Sequence, residues 1–278
     1  PSLTRNVSSL ALKLSQSSEV WLFDCGEGTQ HQIMKSNIKS SQIKKIFITH
    51  MHGDHIYGLP GLLATLGLSG NSKGIEIYGP SELRSFINSA LKSSFCKLSF
   101  PLHFVEVENF ASENKILFEN NKIKVNCACL KHKIPAYGYR VSEKDKPGIF
   151  DIKKAESLKI APGPIYSELQ QGKKVVLADG RKFDGQEFCG PPRKGESFVY
   201  CTDTVFSESA VSLSKNADLL VHESTFSEED ESMAYEKLHS TTIMAAKTAL
   251  LSNTKKLIIT HLSPCLLYTS DAADEASS

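Results

Sequence analysis

The chain of 278 residues is 40% hydrophobic, enough to bury one large core or two fused halves, and its formal net charge is only +1. No apolar run approaches the roughly 20 residues needed to cross a bilayer, so no membrane-spanning helix is expected. Its seven cysteines are odd in number and form no Cys-x-x-Cys pair, which argues against a disulfide framework or a thiolate zinc site. An intracellular, reducing compartment fits this usage, with cytoplasm and organelle (plastid or mitochondrion) not separated.

In chain order, apolar strands are expected over 9–14 and 20–24, followed by a helix over 29–35. A further strand ends in Ile46-Phe47-Ile48, and a helix starts near Gly58. A strand over 75–78 and a helix over 81–92 come next, then a run of strands covering 104–141. The last third repeats the alternation: strand 197–201, helix 207–215, strand 218–221, helix 241–252 and strand 256–260. Such alternation, with helices available for both outer faces, implies an α/β layered fold. Ser240 or Thr241 is a sound N-cap for the 241–252 helix, which holds His239 just before a helix N-terminus where backbone N–H groups favour a phosphate.

The stretch Thr49-His50-Met51-His52-Gly53-Asp54-His55 places three histidines and a carboxylate within six residues, directly after an apolar run. Neutral imidazole and carboxylate are ordinary zinc ligands. A strand emptying into a Gly-containing turn lets His50 and His52 point to one side, with Asp54 and His55 in the loop behind, a geometry that suits two adjacent metals. The bland alternative is a solvated polar loop, and four potential ligands in six positions argue against it. His132, His222 and His261 follow apolar or β-rich segments, and Asp203 has the same placement after 198–202. One histidine at a strand end is usually a packing or surface residue; several, in a chain that already needs ligands, point to a shared site at one sheet edge. Asp203 has two oxygens and can bridge two metals, which a neutral imidazole does not do. His31 and His103 lack this context and are read as ordinary.

At this point the chain resembles the metallo-β-lactamase superfamily and, within it, the short form of the ribonuclease Z family of tRNA 3′-processing endonucleases. The resemblance runs from Pro1 to about Pro264. It rests on Phe23-Asp24-Cys25-Gly26-Glu27-Gly28-Thr29-Gln30, the His50 cluster with Gly58-Leu59-Pro60-Gly61 behind it, Tyr78-Gly79-Pro80 and Gly138-Tyr139-Arg140. Further along it includes Pro162-Gly163-Pro164, His222-Glu223-Ser224-Thr225, His239-Ser240-Thr241 and Thr260-His261. The cluster alone marks only the superfamily; the Glu223 and His239 motifs with the insertion below narrow it.

The resemblance implies a four-layer αβ/βα sandwich with an inserted flexible arm and two zinc ions per subunit at one sheet edge. His50, His52 and His132 would hold one zinc, Asp54, His55 and His261 the other, and Asp203 would bridge them. Asp54 would also orient or deprotonate the attacking water, His239 would be the general acid, and Glu223 would hold its tautomer. His222 is read as structural. The implied substrate is precursor tRNA, cut to a tRNA 3′-OH and a trailer 5′-phosphate by a homodimer with no membrane association. The alternatives are another hydrolase of this fold (a small-molecule phosphodiesterase, sulfatase or thioester hydrolase) and a catalytically inactive RNA-binding relative.

Residues 145–195 break the alternation, with Pro147-Gly148, Pro162-Gly163-Pro164, Gly172, Gly180, Gly185, Gly190-Pro191-Pro192 and Gly195. That is too much punctuation for a core element. From Lys131 to Lys194 there are 14 Lys/Arg against 8 Asp/Glu, a net of +6, so the remainder carries about −5. A basic projection on an acidic body suits a phosphodiester partner; on composition alone, a solvated loop with incidental lysines stays equally open. The resemblance places an exosite arm that grips tRNA here. Residues 1–264 are read as the main domain with both native ends missing, since the chain opens without Met. The acidic, Ala/Ser-rich stretch 265–278 is read as non-native and excluded from fold reasoning.

Overall fold

The computed structural model describes residues 5–14, 17–68, 74–111 and 116–263, so the readings of the opening residues and of 265–278 lie outside the described residues. The chain divides into two compact units, one of residues 119–124 and 142–196 and the other of the remainder.

The first sheet has the order β1-β2-β3-β4-β5, formed by β1 (Leu10–Lys13), β2 (Val20–Phe23), β3 (Ile43–Phe47), β4 (Ile75–Gly79) and β5 (Leu102–Glu106). β1 is antiparallel to β2, whereas β2 through β5 run parallel. Parallel neighbours need crossovers, supplied by α1 (Thr29–Lys35), by α2 (Gly53–Ile56) with α3 (Leu59–Leu68), and by α4 (Glu82–Ser93); a short α5 (Glu108–Ala111) follows β5. Alternation sorts the strand residues onto two faces. Val20, Leu22, Ile46, Ile48, Ile75 and Ile77 pack outward with Ile33, Leu59, Leu62, Leu63, Leu66, Leu83 and Ile87 of the helices.

The second sheet has the order β13-β12-β11-β8-β7-β6. In chain order its strands are β6 (Ile116–Glu119), β7 (Ile123–Leu130) and β8 (Ala136–Glu143), and, after the hairpin β9 (Lys174–Val176) and β10 (Lys182–Asp184), β11 (Ser197–Cys201), β12 (Leu219–Glu223) and β13 (Leu257–Thr260). In chain order the remaining helices are α6 (Ile152–Ser157), α7 (Pro164–Gln170), α8 (Glu208–Leu213), α9 (Glu231–Lys237) and α10 (Thr242–Leu251). The outer face of this sheet, with Leu130, Val199, Cys201 and Leu220, packs on Ala210 and Leu213 of α8 and Ala249 of α10.

The inner faces meet in an aromatic layer. Phe23 stacks on Phe47 at 4.9 Å and touches Phe198 and Tyr200 of the opposite sheet at 5.3 and 5.6 Å. Phe47 stacks on Tyr78 at 4.6 Å and meets Tyr139 at 5.3 Å. Each such ring contributes about 1.5–3 kcal/mol by leaving water, with further gain from offset and edge contacts. The result is helices, sheet, sheet and helices in four layers.

The smaller unit differs from the expectation of an arm without core elements. It contains α6, α7 and the β9–β10 hairpin around a small core of Ala155, Ile160, Leu169, Val175 and Phe188. Its glycines punctuate these elements rather than replacing them: Gly172 (φ 72°) follows α7 and Gly180 (φ 85°) turns the hairpin. At its stem Lys146 and Arg193 exchange backbone hydrogen bonds of 2.8 and 2.9 Å. Among the described residues no helix is long and apolar enough to cross a membrane.

Candidate metal centre and acid–base pair

The expected donors converge on one end of the sandwich. His50 Nε2, His52 Nδ1, His132 Nε2 and an oxygen of Asp203 form one group. Asp54, His55 and His261 form a second, and in each the donor atoms lie within 4.8 Å of one another. The two oxygens of Asp203 face different groups: Oδ2 is 3.5 Å from His50 Nε2 and 3.9 Å from His132 Nε2. Its Oδ1 is 3.2 Å from His55 Nε2 and 3.4 Å from His261 Nε2. Asp54 Oδ2 closes the second group at 3.5 Å from His55 Nε2 and 3.4 Å from His261 Nε2.

Local structure explains the convergence. His50 and His52 follow β3, but Asp54 and His55 lie in the single helical turn α2 rather than in an open loop as expected. That turn is clamped against the loop after β2, where Cys25 N donates to His55 O at 2.8 Å and Gly58 N to Cys25 O at 3.0 Å. A Cβ on Gly58 would stand 2.0 Å from Gly26 O, so only glycine permits the approach. His132 lies just past β7, Asp203 two residues past β11 and His261 directly after β13. Asp203 and His261 adopt φ of 44° and 55°, left-handed values that turn the chain abruptly at the strand ends. His222 does not follow a strand but lies within β12, fully buried, with Nδ1 donating to Glu223 O at 2.8 Å, and it joins neither donor group.

Proton accounting shows what the converging nitrogens are. His132 donates Nδ1–H to Leu238 O at 3.0 Å and His55 donates Nδ1–H to Asp24 Oδ2 at 2.8 Å. The Thr49 hydroxyl donates to Asp24 at 2.9 and 3.0 Å, so its oxygen accepts Nδ1–H from His50 at 3.0 Å. A neutral imidazole has one N–H, so all three Nε2 atoms present lone pairs. His55 Nε2 is buried with no hydrogen-bond partner. Buried lone pairs aimed at one another and at carboxylates call for a cation, and the donor set, imidazole and carboxylate without thiolate, fits zinc.

The electrostatics agree. Burial pushes His132 down to about 4, keeping it neutral. Burial opposes ionisation of Asp203, but His55, His50 and His261 outweigh it and hold the carboxyl well below the usual range. Asp24 and Asp203 in turn pull His55 well above its ordinary value against its own burial, so that without another cation its Nε2 draws a proton. The carboxylates thus demand positive charge in their midst.

Beside the donors, His239 Nδ1 donates to Glu223 Oε1 at 2.8 Å, while Nε2 stands 4.0 Å from Asp203 Oδ2. Glu223 is fully buried and also accepts from Thr204 N (2.7 Å), Ser240 N (3.0 Å), Thr225 N (3.2 Å) and the Thr225 hydroxyl (2.6 Å). Thr241, rather than Ser240, caps α10 by accepting from Met244 N at 3.3 Å. The unexpected helix α9 ends at Leu238 (φ 57°), whose carbonyl holds His132 and whose successor is His239.

Three site residues carry no assigned role in the sequence reading: Asp24, Thr49 and Thr225. Asp24 is fully buried at φ 58° and accepts from Thr49 N, the Thr49 hydroxyl, His55 Nδ1 and, at 3.3 Å, the Tyr200 hydroxyl. Its signal was the strand-end placement it shares with Asp203.

Residues 4–144 match the family model described as Anti-Pycsar protein Apyc1. Over 264 residues the chain is 97% identical to a ribonuclease Z of Prochlorococcus marinus (strain MIT 9301), covering 95% of this chain and 85% of that protein. Human tRNase Z, short form (ELAC1), is 34% identical with a TM-score of 0.69, covering 95% of this chain and 88% of that one. The metallo-beta-lactamase fold protein YhfI of Bacillus subtilis shares the fold at 16% identity and a TM-score of 0.62, over 95% of this chain and 82% of that one. Sandwich and His/Asp cluster together define a metal-binding hydrolase of the metallo-β-lactamase fold. Within that class the chain belongs to the ribonuclease Z family, and over 4–144 to the family described as Anti-Pycsar protein Apyc1.

Proposed function

We propose that this chain is a zinc-dependent endoribonuclease that removes the 3′ trailer from precursor tRNA, leaving a tRNA 3′-OH and a trailer 5′-phosphate. The observation that carries this reading is the pair of donor groups sharing Asp203, with the His239–Glu223 pair beside them. His50, His52 and His132 would hold one zinc, Asp54, His55 and His261 the second, with Asp203 between them. Bound zinc would supply Lewis acidity, lowering the pKa of water and neutralising charge on the non-bridging phosphate oxygens. Asp54, whose side chain is 41% exposed, faces the open side and takes the proton of the attacking water. As the P–O3′ bond breaks, His239 delivers its Nε2 proton to the departing 3′-oxygen, and Glu223 keeps the other proton on Nδ1. The decisive experiment is incubation of a 3′-extended precursor tRNA with the zinc-loaded protein. Cleavage at one position, abolished by chelation and restored by zinc, is expected. Hydrolysis of a small phosphodiester without precursor cleavage would overturn the substrate assignment.

Zinc content offers a first prediction. Elemental analysis should find about two zincs per subunit, and X-ray absorption should show N/O scatterers only, since no cysteine joins either donor group. Metal–sulfur scattering would contradict the ligand assignment.

The inserted segment 145–195 is proposed to grip the tRNA away from the cleaved bond, and in a homodimer to present it to the partner's site. Deleting residues 148–192, whose flanks are already joined through the Lys146–Arg193 pairing, should raise KM for precursor tRNA strongly. Hydrolysis of bis(p-nitrophenyl) phosphate should be spared, because binding energy remote from the reacting phosphate is lost while the chemistry remains. Equal losses on both substrates would instead make the segment part of the catalytic fold.

A further inference from the structure

Thr225 stands two residues after Glu223, beside the imidazoles of His239 and His261. Those rings stack with centroids 5.6 Å apart and an interplanar angle of 11°. Thr225 Oγ1 is 2.6 Å from Glu223 Oε2, 2.9 Å from His261 Nδ1 and 3.3 Å from His239 Nδ1. A hydroxyl has one proton to give and two lone pairs to receive with. The Glu223 carboxylate can only accept and makes the shortest contact, so the hydroxyl proton goes there. The oxygen is then an acceptor, and His261 must offer it Nδ1–H. A ring that ligates a metal through Nε2 keeps one such proton, on Nδ1, and His261 Nε2 faces Asp54 Oδ2 and Asp203 Oδ1, each at 3.4 Å. His239 already donates to Glu223 at 2.8 Å, so its contact with Thr225 is the weaker one. Backbone hydrogen bonds from Ser224 N to Thr260 O (2.9 Å) and from Ser263 N to Thr225 O (3.3 Å) hold the His261 segment in register with this hydroxyl.

We infer that Thr225 is a positioning residue whose hydroxyl selects the tautomer and ring plane of His261, and so sets the affinity of the Asp54–His55–His261 group for its metal. The inference rests on the zinc reading above, but not on the identity of the substrate. A purely structural Thr225 would affect both donor groups alike; a tautomer-selecting one affects the group containing His261. Thr225→Val keeps the shape and removes the acceptor, whereas Thr225→Ser keeps the acceptor. Glu223 Oε2 retains Ser240 N and the backbone N of residue 225 in either variant.

The test challenges the zinc-loaded full chain with a chromophoric chelator and follows release of each zinc equivalent. In parallel, NMR of 15N-histidine-labelled protein monitors the hydrogen-bonded Nδ1–H of His261. In the Val variant one equivalent should be held roughly 10–100-fold more weakly, the other should be unchanged, and the His261 Nδ1–H signal should lose its protection. The Ser variant should match the parent on both readouts. Equal weakening of both equivalents, no weakening of either, or a Ser variant that behaves like Val overturns the inference. A parent protein that holds two zincs yet leaves precursor tRNA uncut overturns the substrate assignment only, while a parent that holds no zinc overturns both.

Discussion

His239→Ala should lower precursor cleavage by roughly 10²–10⁴-fold, the usual contribution of a general acid, with zinc content and RNA binding close to the parent values. The ring sits beside the donor groups rather than within the first: its Nε2 is 4.0 Å from Asp203 Oδ2, and its Nδ1 is committed to Glu223. Removing it leaves His50, His52, His132, Asp54, His55 and His261 in place. His50→Ala is the contrasting variant. His50 is fully buried, its Nδ1 is fixed by Thr49 and its Nε2 faces His52 and Asp203, so its loss should empty the first group of metal. Single-turnover cleavage and zinc analysis on both variants separate the roles. Because His239 also lies in a third cluster with Asp203 and His261, equal zinc loss in the two variants would reassign it as a ligand.

Asp24→Ala should cost about 3–5 kcal/mol of folding stability, as expected when one member of a buried charged network is removed. Four donor groups would lose their acceptor at once: Thr49 N, the Thr49 hydroxyl, His55 Nδ1 and the Tyr200 hydroxyl. Asp24→Asn isolates the electrostatic part, since asparagine has the same shape and tolerates the left-handed backbone at φ 58°. Its amide offers one acceptor oxygen and turns N–H groups toward other donors, so a smaller loss of about 1–3 kcal/mol is expected. Urea denaturation of the metal-free proteins measures both. An Asn variant within about 0.5 kcal/mol of the parent, the range of an ordinary surface substitution, would show that Asp24 is not the anchor of this network.

The convergence was legible because His50, His52, His132, Asp203 and His261 follow β-rich runs, and strands of one sheet tend to deliver their ends to a common edge. His132, Asp203 and His261 meet on that basis. Sequence patterns could not separate His222 from them: a histidine inside β12 and one just past a strand end differ by one or two residues. Asp24 and Thr225 escaped for a related reason. They act through hydrogen bonds to other side chains, and a lone Asp or Thr after a strand looks the same whether it meets a histidine or water. The interior of the inserted unit was hidden by its glycines and prolines, because Ala155, Ile160, Leu169, Val175 and Phe188 recur at irregular intervals without helical or strand periodicity. The helix α9 likewise lacked a long apolar stripe, with Ala234 its one buried residue.

The stem of the inserted unit has a consequence for how such a protein can diversify. Its two chain segments are joined at Glu143–Glu196, at Lys146–Arg193 and at Phe150–Cys189. The ends of the intervening chain are therefore held together before that chain is reached, and lengthening it costs little additional closure entropy. From the side of β8 and β11 the whole unit is equivalent to a hairpin turn. Its length, charge and internal packing are thus free to vary as a cassette without moving a single strand that carries the histidines.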